Sequence, residues 1–419
     1  MNTTWRQCTI GDVCDTISNT YNSNAQQVVL INTSDVLEGK VLNHIYIPNE
    51  NLKGQFKKTF EEGDILYSEI RPQNKRYAYI DFAPINYIAS TKLMVIRNKN
   101  IVKSKYLYYF LQSDKIISEL QMLAETRSGT FPQITFNELS KLSIKIPPLP
   151  EQDRIISILD SICKKIDINQ QINDNLEEQA KALFNHYFIQ NTENLGEWQD
   201  GVLTDIAQYL NGLAMQKYPA MPNEAGLPVL KIKELGQGQC DTNSDRCSSL
   251  IKPEYIISDG TIIFSWSGTL LVDIWCGGKC GLNQHLFKVS SAKYPQWFVF
   301  YWTKHHLNKF IRIAKDKAVT MGHIKRCDLE ISKVKIPSKQ ALVNLDKLFS
   351  PIFNRMVTCR IENRKLSFIR RLSLILLSRE DNIATTFFCT SIAGIFTGHC
   401  IICFLSPRGI LHPFAPDIT

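Results

Sequence analysis

Apolar side chains recur four and three residues apart through Ile155, Leu159, Ile162, Ile166, Asn169, Asn173, Leu176, Ala180, Leu183 and Tyr187. An alternation sustained over about four heptads predicts a coiled-coil helix rather than a short surface helix. Pro147-Pro148-Leu149-Pro150 breaks whatever precedes it, and Glu151 places a carboxylate at the positive end of the new helix. A second seam runs through Leu345, Phe349, Ile352, Met356, Cys359, Asn363 and Leu366. Pro351 lies inside it and predicts a kink or a delayed start. Either seam alone reads as a core helix of a bundle. Two matching seams, with Asn173 and Asn363 at the same point, favour helices that pair with each other. A buried asparagine weakens such a seam but fixes register and partner. Because a large domain lies between the two helices in the chain, an antiparallel arrangement is the simplest closure.

The seams belong to a longer repeat. Phe131-Pro132-Gln133-Ile134, Leu139 and Ile144-Lys145-Ile146-Pro147 recur, at an offset of about 190 residues, as Met321-Gly322-His323-Ile324, Leu329 and Val334-Lys335-Ile336-Pro337. Upstream the register drifts, but Trp5 with Gly11-Asp12-Val13 matches Trp198 with Thr204-Asp205-Ile206. Likewise Gly63-Asp64-Ile65-Leu66-Tyr67-Ser68 matches Gly260-Thr261-Ile262-Ile263-Phe264-Ser265. Solenoid repeats recur every 20 to 50 residues or so, which makes this unit a duplicated globular domain plus a helix.

Each copy opens with short apolar or alternating runs that predict strands: Val28–Ile31, Asp64–Ser68 and Tyr87–Ile96, then Thr261–Trp266 and Leu286–Val289. An aromatic-rich helix follows, over Lys105–Leu123 and Gln296–Ala314. A polar loop and a strand ending in proline complete the copy, since proline cannot donate to a sheet ladder. The expected architecture is α+β: a first β-rich domain at 1–147, a central helix at 148–192, a second domain at 193–337, a distal helix at 338–380 and a divergent tail at 381–419.

Composition narrows the function class. The 419 residues are 44% hydrophobic and 21% charged, as expected of a soluble globular protein with two domains. A net charge of +8 fits a polyanion partner without demanding one. The first ten residues lack the apolar core of a signal peptide, and the 12 cysteines form no tight framework. Both observations predict reduced thiols and a cytoplasmic location. Ile383–Leu405 contains no Asp, Glu, Lys or Arg and has membrane-spanning length, but it carries His399, cysteines, glycines and several hydroxyl residues. With no counterpart in the first copy, it reads as a foreign or out-of-frame ending before a buried segment, and as either before a membrane span.

Enzyme motifs are missing. There is no phosphate-binding loop, no H-E-x-x-H zinc helix and no Asn-Pro-Pro-aromatic sequence of amino-methyltransferases, and Gly236 with Gly238 lacks the third glycine of a dinucleotide fingerprint. Cys276 and Cys280 have zinc-ligand spacing, with Cys240, Cys247 and His285 as further candidates. The gap from Cys240 to Cys247 is too wide for the usual pair, so no metal is expected.

Several segments together resemble the specificity subunit of type I restriction–modification systems. They are Ile144–Asp160 with its Pro-Pro-Leu-Pro-Glu-Gln helix start, Gly63–Pro72, Trp266-Ser267-Gly268-Thr269, Leu282–Phe287 and Met321–Ile324, and the resemblance covers about Met1 to Glu380. It implies two tandem homologous target recognition domains separated by two long antiparallel coiled-coil helices, each domain reading one half of a split double-stranded DNA sequence. It further implies that the seam residues build a ruler and docking site for two adenine methyltransferase subunits, which bind S-adenosylmethionine. Translocase–nuclease subunits that use ATP and Mg then join the complex, and the chain itself performs no chemistry and holds no cofactor. About 30 helical residues at about 1.5 Å each make a spacer of roughly 45 Å, and a duplex turn is about 34–36 Å. The distal helix departs from the family, keeping only Pro337-Ser338-Lys339-Gln340 at its start, and the usual ending is replaced beyond about Ser378.

Phosphate contacts supply most DNA affinity and base-edge contacts the specificity. Candidate contacts in the first copy are Ser68, Arg71, Lys75 and Arg76, with Arg71 suited to guanine and the other cations to phosphate. Ser265 and Ser267 occupy the same place in the second copy, and Trp266 between them reads as core. A second loop holds Arg127, Ser128, Gly129, Thr130 and Gln133, where small residues beside a cation permit close backbone approach and Gln133 suits adenine. Lys317, Thr320, His323, Lys325 and Arg326 match it. Asn283, Gln284 and His285 form a third polar cluster, matching Ser90, Thr91 and Lys92. The plain alternative for each is a solvated loop with surface cations and satisfied turn residues. At the level of the whole chain, the rivals are a coiled-coil scaffold whose duplicated domains bind proteins, and an inactive rearranged copy of a specificity subunit.

Overall fold

Strand Ile65–Ser68 is buried along its length, and apolar over Ile65–Tyr67, because both of its faces are covered. Ile65 and Tyr67 point into a core shared with the aromatic helices, whereas Leu66 joins a second core beneath another sheet. Its repeat counterpart Thr261–Ser265 does the same, with Ile262 and Phe264 on one side and Ile263 on the other. A strand buried on both faces loses the polar–apolar alternation of a half-exposed one. The sheet carrying it is therefore a middle layer.

The computed structural model describes residues 5–50, 54–127, 131–190, 198–316 and 322–378, together with the backbone of a short hairpin, Cys403–Leu405 with Leu411–Pro413. The chain forms two compact units, Met1–Cys163 with Ser367–Thr419, and Lys164–Leu366.

In the first unit the middle sheet runs Cys14–Ile17, Leu93–Asn98, Ile65–Ser68, Tyr77–Tyr79, all antiparallel. The second sheet runs Ile47–Pro48, Gln27–Ile31, Tyr87–Ser90, Phe56–Lys58, with Gln27–Ile31 parallel to Tyr87–Ser90. Arg6–Thr9 pairs with Ser143–Ile146 just before the central helix begins. In the second unit the middle sheet is Gln208–Asn211, Leu286–Ser290, Thr261–Ser265, Leu271–Trp275. The other sheet is Arg246–Cys247, Leu227–Leu230, Cys280–Leu282, Ile256–Ile257, again with one parallel pair, Leu227–Leu230 with Cys280–Leu282. Gln199–Val202 pairs with Lys333–Ile336. The strand order agrees position by position, so the sequence repeat is a repeat of topology. The expected α+β class is borne out.

The aromatic helices pack on the middle sheets. In the second unit Gln296–Asp316 is continuous and buries Trp297, Phe298, Phe300, Tyr301 and Phe310. Each such side chain contributes about 1.5–3 kcal/mol of transfer free energy. The first unit differs from expectation: the predicted helix is split into Ser104–Leu111 and Asp114–Arg127. The break falls at Gln112 and Ser113, whose backbone N–H groups turn back to Tyr109 and Phe110. Serine followed by aspartate is a preferred helix start, so local chemistry interrupts the apolar period.

The central helix spans Leu149–Phe184 and continues as a π-helical stretch, Asn185–Gln190. The distal helix spans Lys339–Ser378 with Pro351 inside it, so the proline does not delay its start. Losing one backbone bond there costs about 3 kcal/mol. Phe349 and Phe353, on either side, are buried, and Phe349 stacks on Trp297 at 4.3 Å between ring centroids. In the second unit the two helices run antiparallel: Asn169 meets Asn363, Glu177 meets Arg360 and Phe188 meets Phe349. Arg360 and Arg364 tie the distal helix to the sheets through Asp273 at 2.6 Å and Asp259 at 2.6 Å. In the first unit Ile155 and Leu159 share a core with Leu374 and Leu377, and Asp160 accepts from Tyr109 at 2.5 Å and Lys105 at 2.8 Å.

The apolar tail lies outside the described residues, apart from the hairpin named above. Among the described residues no helix is long and apolar enough to cross a membrane.

Candidate nucleic-acid interface

Three segments meet at the end of the middle sheet in each unit. In the first, Ser68 is buried, and its Oγ accepts from the Ile70 N–H at 3.0 Å, folding the chain back out of the strand. The next residue, Glu69, uses both backbone groups to hold neighbours: its N–H donates to Lys92 O at 3.0 Å, and its carbonyl accepts from Ile134 N at 2.9 Å. Arg71 N donates to Pro132 O at 3.1 Å, and Ile70 bridges Gln133.

The second unit repeats this lock bond for bond. Trp266 N donates to His285 O at 3.4 Å, Ile324 N to Trp266 O at 2.9 Å, and Gly268 N to Gly322 O at 3.3 Å, while Ser267 bridges His323. Ser265 is buried and donates to the carbonyls of Ser267 at 3.2 Å and Thr269 at 2.8 Å, as a turn-former should. The polar loops that the repeat alignment paired are thus held together in space by equivalent backbone bonds.

The side chains on this frame differ between units. In the first, Lys92 Nζ donates to Gln133 Oε1 at 3.0 Å and lies 3.9 Å from Glu69 Oε2. Below them Lys58 is fixed by the carbonyls of Thr91 and Leu93 at 3.0 and 2.8 Å, and burial holds its pKa below the usual lysine range. In the second, Trp266 packs on Phe287 and approaches His285 and His323 at 6.0 and 6.3 Å between centroids. Its indole N–H donates to Asn211 Oδ1 at 2.9 Å. His285 Nδ1 pairs with Ser267 Oγ at 3.0 Å, and its Nε2 faces the Gln284 amide at 3.3 Å. Trp266, expected in the core, is only partly buried because it stands on the strand-end turn rather than within the strand.

The remaining candidates divide by placement. Arg71 is exposed and left-handed at φ 43°, and Lys75 is left-handed at φ 52°. Two such non-glycine residues cost about 1 kcal/mol each or more, held here by the short turn Pro72–Asn74 between them. Lys75 pairs with Glu38 at 3.5 Å, and Arg76 donates to the Ser34 and Val36 carbonyls at 2.9 and 3.3 Å. Arg76 is thereby engaged within the fold. Lys325 precedes the helix Arg326–Glu330, whose Arg326 pairs with Glu330 at 3.5 Å, and both cations are exposed. Arg127 closes the helix Asp114–Arg127. Thr130, Lys317 and Thr320, with Ser128 and Gly129, lie outside the described residues.

Glu69 is absent from the candidate residues, although it stands opposite Trp266 in the repeat. Among the described residues no three His, Cys, Asp or Glu side chains come together as a metal-ligand set. Cys247, Cys276 and Cys280 are buried, and desolvation raises each thiol's pKa, that of Cys276 to about 11.

Comparison with known proteins gives a consistent result. Residues 2–178 match the family described as type I restriction modification DNA specificity domain. The type I restriction enzyme HindI specificity subunit of Haemophilus influenzae is 47% identical over 188 residues, 44% of this chain and 41% of that protein, so the match spans less than half of that relative. The type I restriction enzyme MjaIX specificity subunit of Methanocaldococcus jannaschii is 26% identical over 320 residues, 69% of this chain and 73% of that one. The crystal structure of the type I restriction–modification S subunit from M. genitalium superposes with a TM-score of 0.51 at 15% identity, covering 91% of this chain and 98% of that one, which shows a shared fold. The first part of the chain, residues 2–178, thus carries a type I restriction modification DNA specificity domain, and the chain is similar to specificity subunits of type I restriction enzymes.

Proposed function

We propose that this chain reads a bipartite double-stranded DNA target and presents it to catalytic partners, performing no chemistry itself. In this reading residues 1–147 and 193–337 are the two recognition domains, residues 148–192 and 338–380 the helices that set their spacing, and residues 381–419 a divergent tail. The observation that carries it is the repeated lock: the same backbone bonds frame exposed polar and cationic side chains in both units. Arg71, Lys92, Gln133, Gln284, His285, His323, Lys325 and Arg326 face the DNA. Ser68, Ser265 and Ser267 shape the turns, and Lys75 and Arg127 add phosphate attraction. The paired seams, from Ile155 to Leu176 and from Leu345 to Leu366, dock two methyltransferase subunits that bring S-adenosylmethionine. Restriction subunits using ATP and Mg complete a cytoplasmic complex.

Methylome sequencing of the host with and without this gene tests the reading. One adenine-methylated motif, split by a non-specific gap, should vanish on deletion; a continuous motif would refute the spacing argument. The rival is a protein-binding scaffold built on the same coiled coil. Duplex binding that weakens steeply with salt separates the two, because each phosphate contact adds about 0.9 to the log–log slope and a scaffold has none.

A further inference from the structure

The two units share a frame but not what stands on it. Glu69, Lys92 and Gln133 occupy the places that Trp266, His285 and His323 occupy in the second unit, each set held by equivalent backbone bonds. None of the three first-unit side chains is required by the lock itself, which is entirely main-chain. Main-chain bonding leaves the side chains exchangeable without refolding the turn.

The first trio has a chemistry that a phosphate-binding surface does not explain. A carboxylate facing a polyanion weakens binding, and Glu69 is nevertheless kept beside the frame with its side chain 19% exposed. Its separation from Lys92 Nζ, 3.9 Å, is loose for an ion pair, so their mutual attraction is a weak reason to retain it. Lys92 is anchored by Gln133 at 3.0 Å, which uses one of its three donors and leaves two. A carboxylate that only accepts, next to an ammonium that only donates, is complementary to one base pair in the major groove: cytosine offers the N4 amino donor, guanine the O6 and N7 acceptors. The second trio contains no carboxylate and replaces the pair with an indole flanked by two imidazoles.

We infer that these three positions in each unit determine which base pairs are read, and that Glu69 with Lys92 selects a G·C pair in the half-site of the first unit. This rests on the DNA-reading function proposed above. It adds the residues that specify sequence and the pair that one set selects.

The test is selection from a pool of randomised duplex DNA by the full chain, co-purified with its methyltransferase subunit, followed by sequencing of the bound fraction. The wild type should select a split motif with an invariant G·C pair in one half. Lys92→Ala and Glu69→Gln should each relax that pair by about ten- to hundredfold in preference while leaving the other half intact. Lys92→Arg should keep guanine, since arginine also donates to O6 and N7. His323→Ala should instead relax the other half, which assigns the halves to the units. Unchanged melting temperatures separate altered reading from misfolding. For a variant that melts early, the triple exchange E69W/K92H/Q133H supplies the second measurement, and its first half-site must change in sequence. If Lys92→Ala and Glu69→Gln select the wild-type motif with undiminished preference, the inference is overturned and the DNA-reading function stands. A wild-type complex that selects no motif overturns both.

Discussion

Asn169 donates from Nδ2 to Asn363 Oδ1 at 2.9 Å across the two long helices of the second unit. The same amide group lies 2.8 Å from Glu362 Oε2, and Asn363 Nδ2 returns a bond to the Ile166 carbonyl at 3.1 Å. This polar layer, with the buried Asn173 one turn further on, interrupts the apolar seam. The repeat aligned Asn363 with Asn173, but equivalence in the repeat is not contact. Antiparallel pairing sets Asn363 against Asn169, and Asn173 Oδ1 is buried without a hydrogen-bond partner among the described residues.

Replacing Asn363 by leucine should destabilise the protein by about 1–3 kcal/mol, because Asn169 is left buried with its donors less satisfied. Replacing both Asn169 and Asn363 by leucine should recover most of that loss, since this layer of the seam becomes apolar, at the expense of a defined register. Urea unfolding of the two single variants and the double variant checks the sign of the coupling.

Arg364 grips Asp259 with two bonds, at 2.6 and 2.8 Å, and donates to the Cys276 carbonyl at 2.5 Å. Arg364→Ala should cost about 2 kcal/mol, and Arg364→Lys should recover only part of it because an ammonium cannot form the bidentate pair. Thermal unfolding of the two variants distinguishes lost geometry from lost charge.

Phe349 is fully buried and lies nearly parallel to Trp297, at an interplanar angle of 10°. Phe349→Ala should cost about 3–5 kcal/mol through the cavity it leaves beside Pro351. A change below about 1 kcal/mol in chemical denaturation would mean that this packing does not compensate the proline.

His306 is held neutral by burial, its pKa pushed down to about 4, and its Nε2 donates to the Lys333 carbonyl at 2.9 Å. Desolvation also lowers the pKa of the adjacent His305. Because the unfolded imidazole titrates near 6.5, the unfolded state binds the extra proton first as pH falls. The contribution is fully present above about 6.5, is lost progressively toward pH 4, and amounts to about 3 kcal/mol for His306. Unfolding free energies between pH 7 and pH 4 should decline less steeply in His306→Asn than in the wild type. Parallel declines would disprove the assignment.

Long helices, duplicated domains and the places of their loops were legible in the residues alone, since heptad spacing and an internal repeat are properties of sequence order. A short apolar strand also announces its burial locally, as Ile65–Tyr67 does. Other features depend on bonds between distant segments. Glu69 becomes part of a site only because its backbone joins Lys92 and Ile134, and Arg76 leaves the list of free cations only because the Ser34 and Val36 carbonyls lie beside it. Tertiary structure likewise chose Asn169 over Asn173 as the partner of Asn363. Helix direction reverses the order in which equivalent residues meet, and periodicity carries no information about direction.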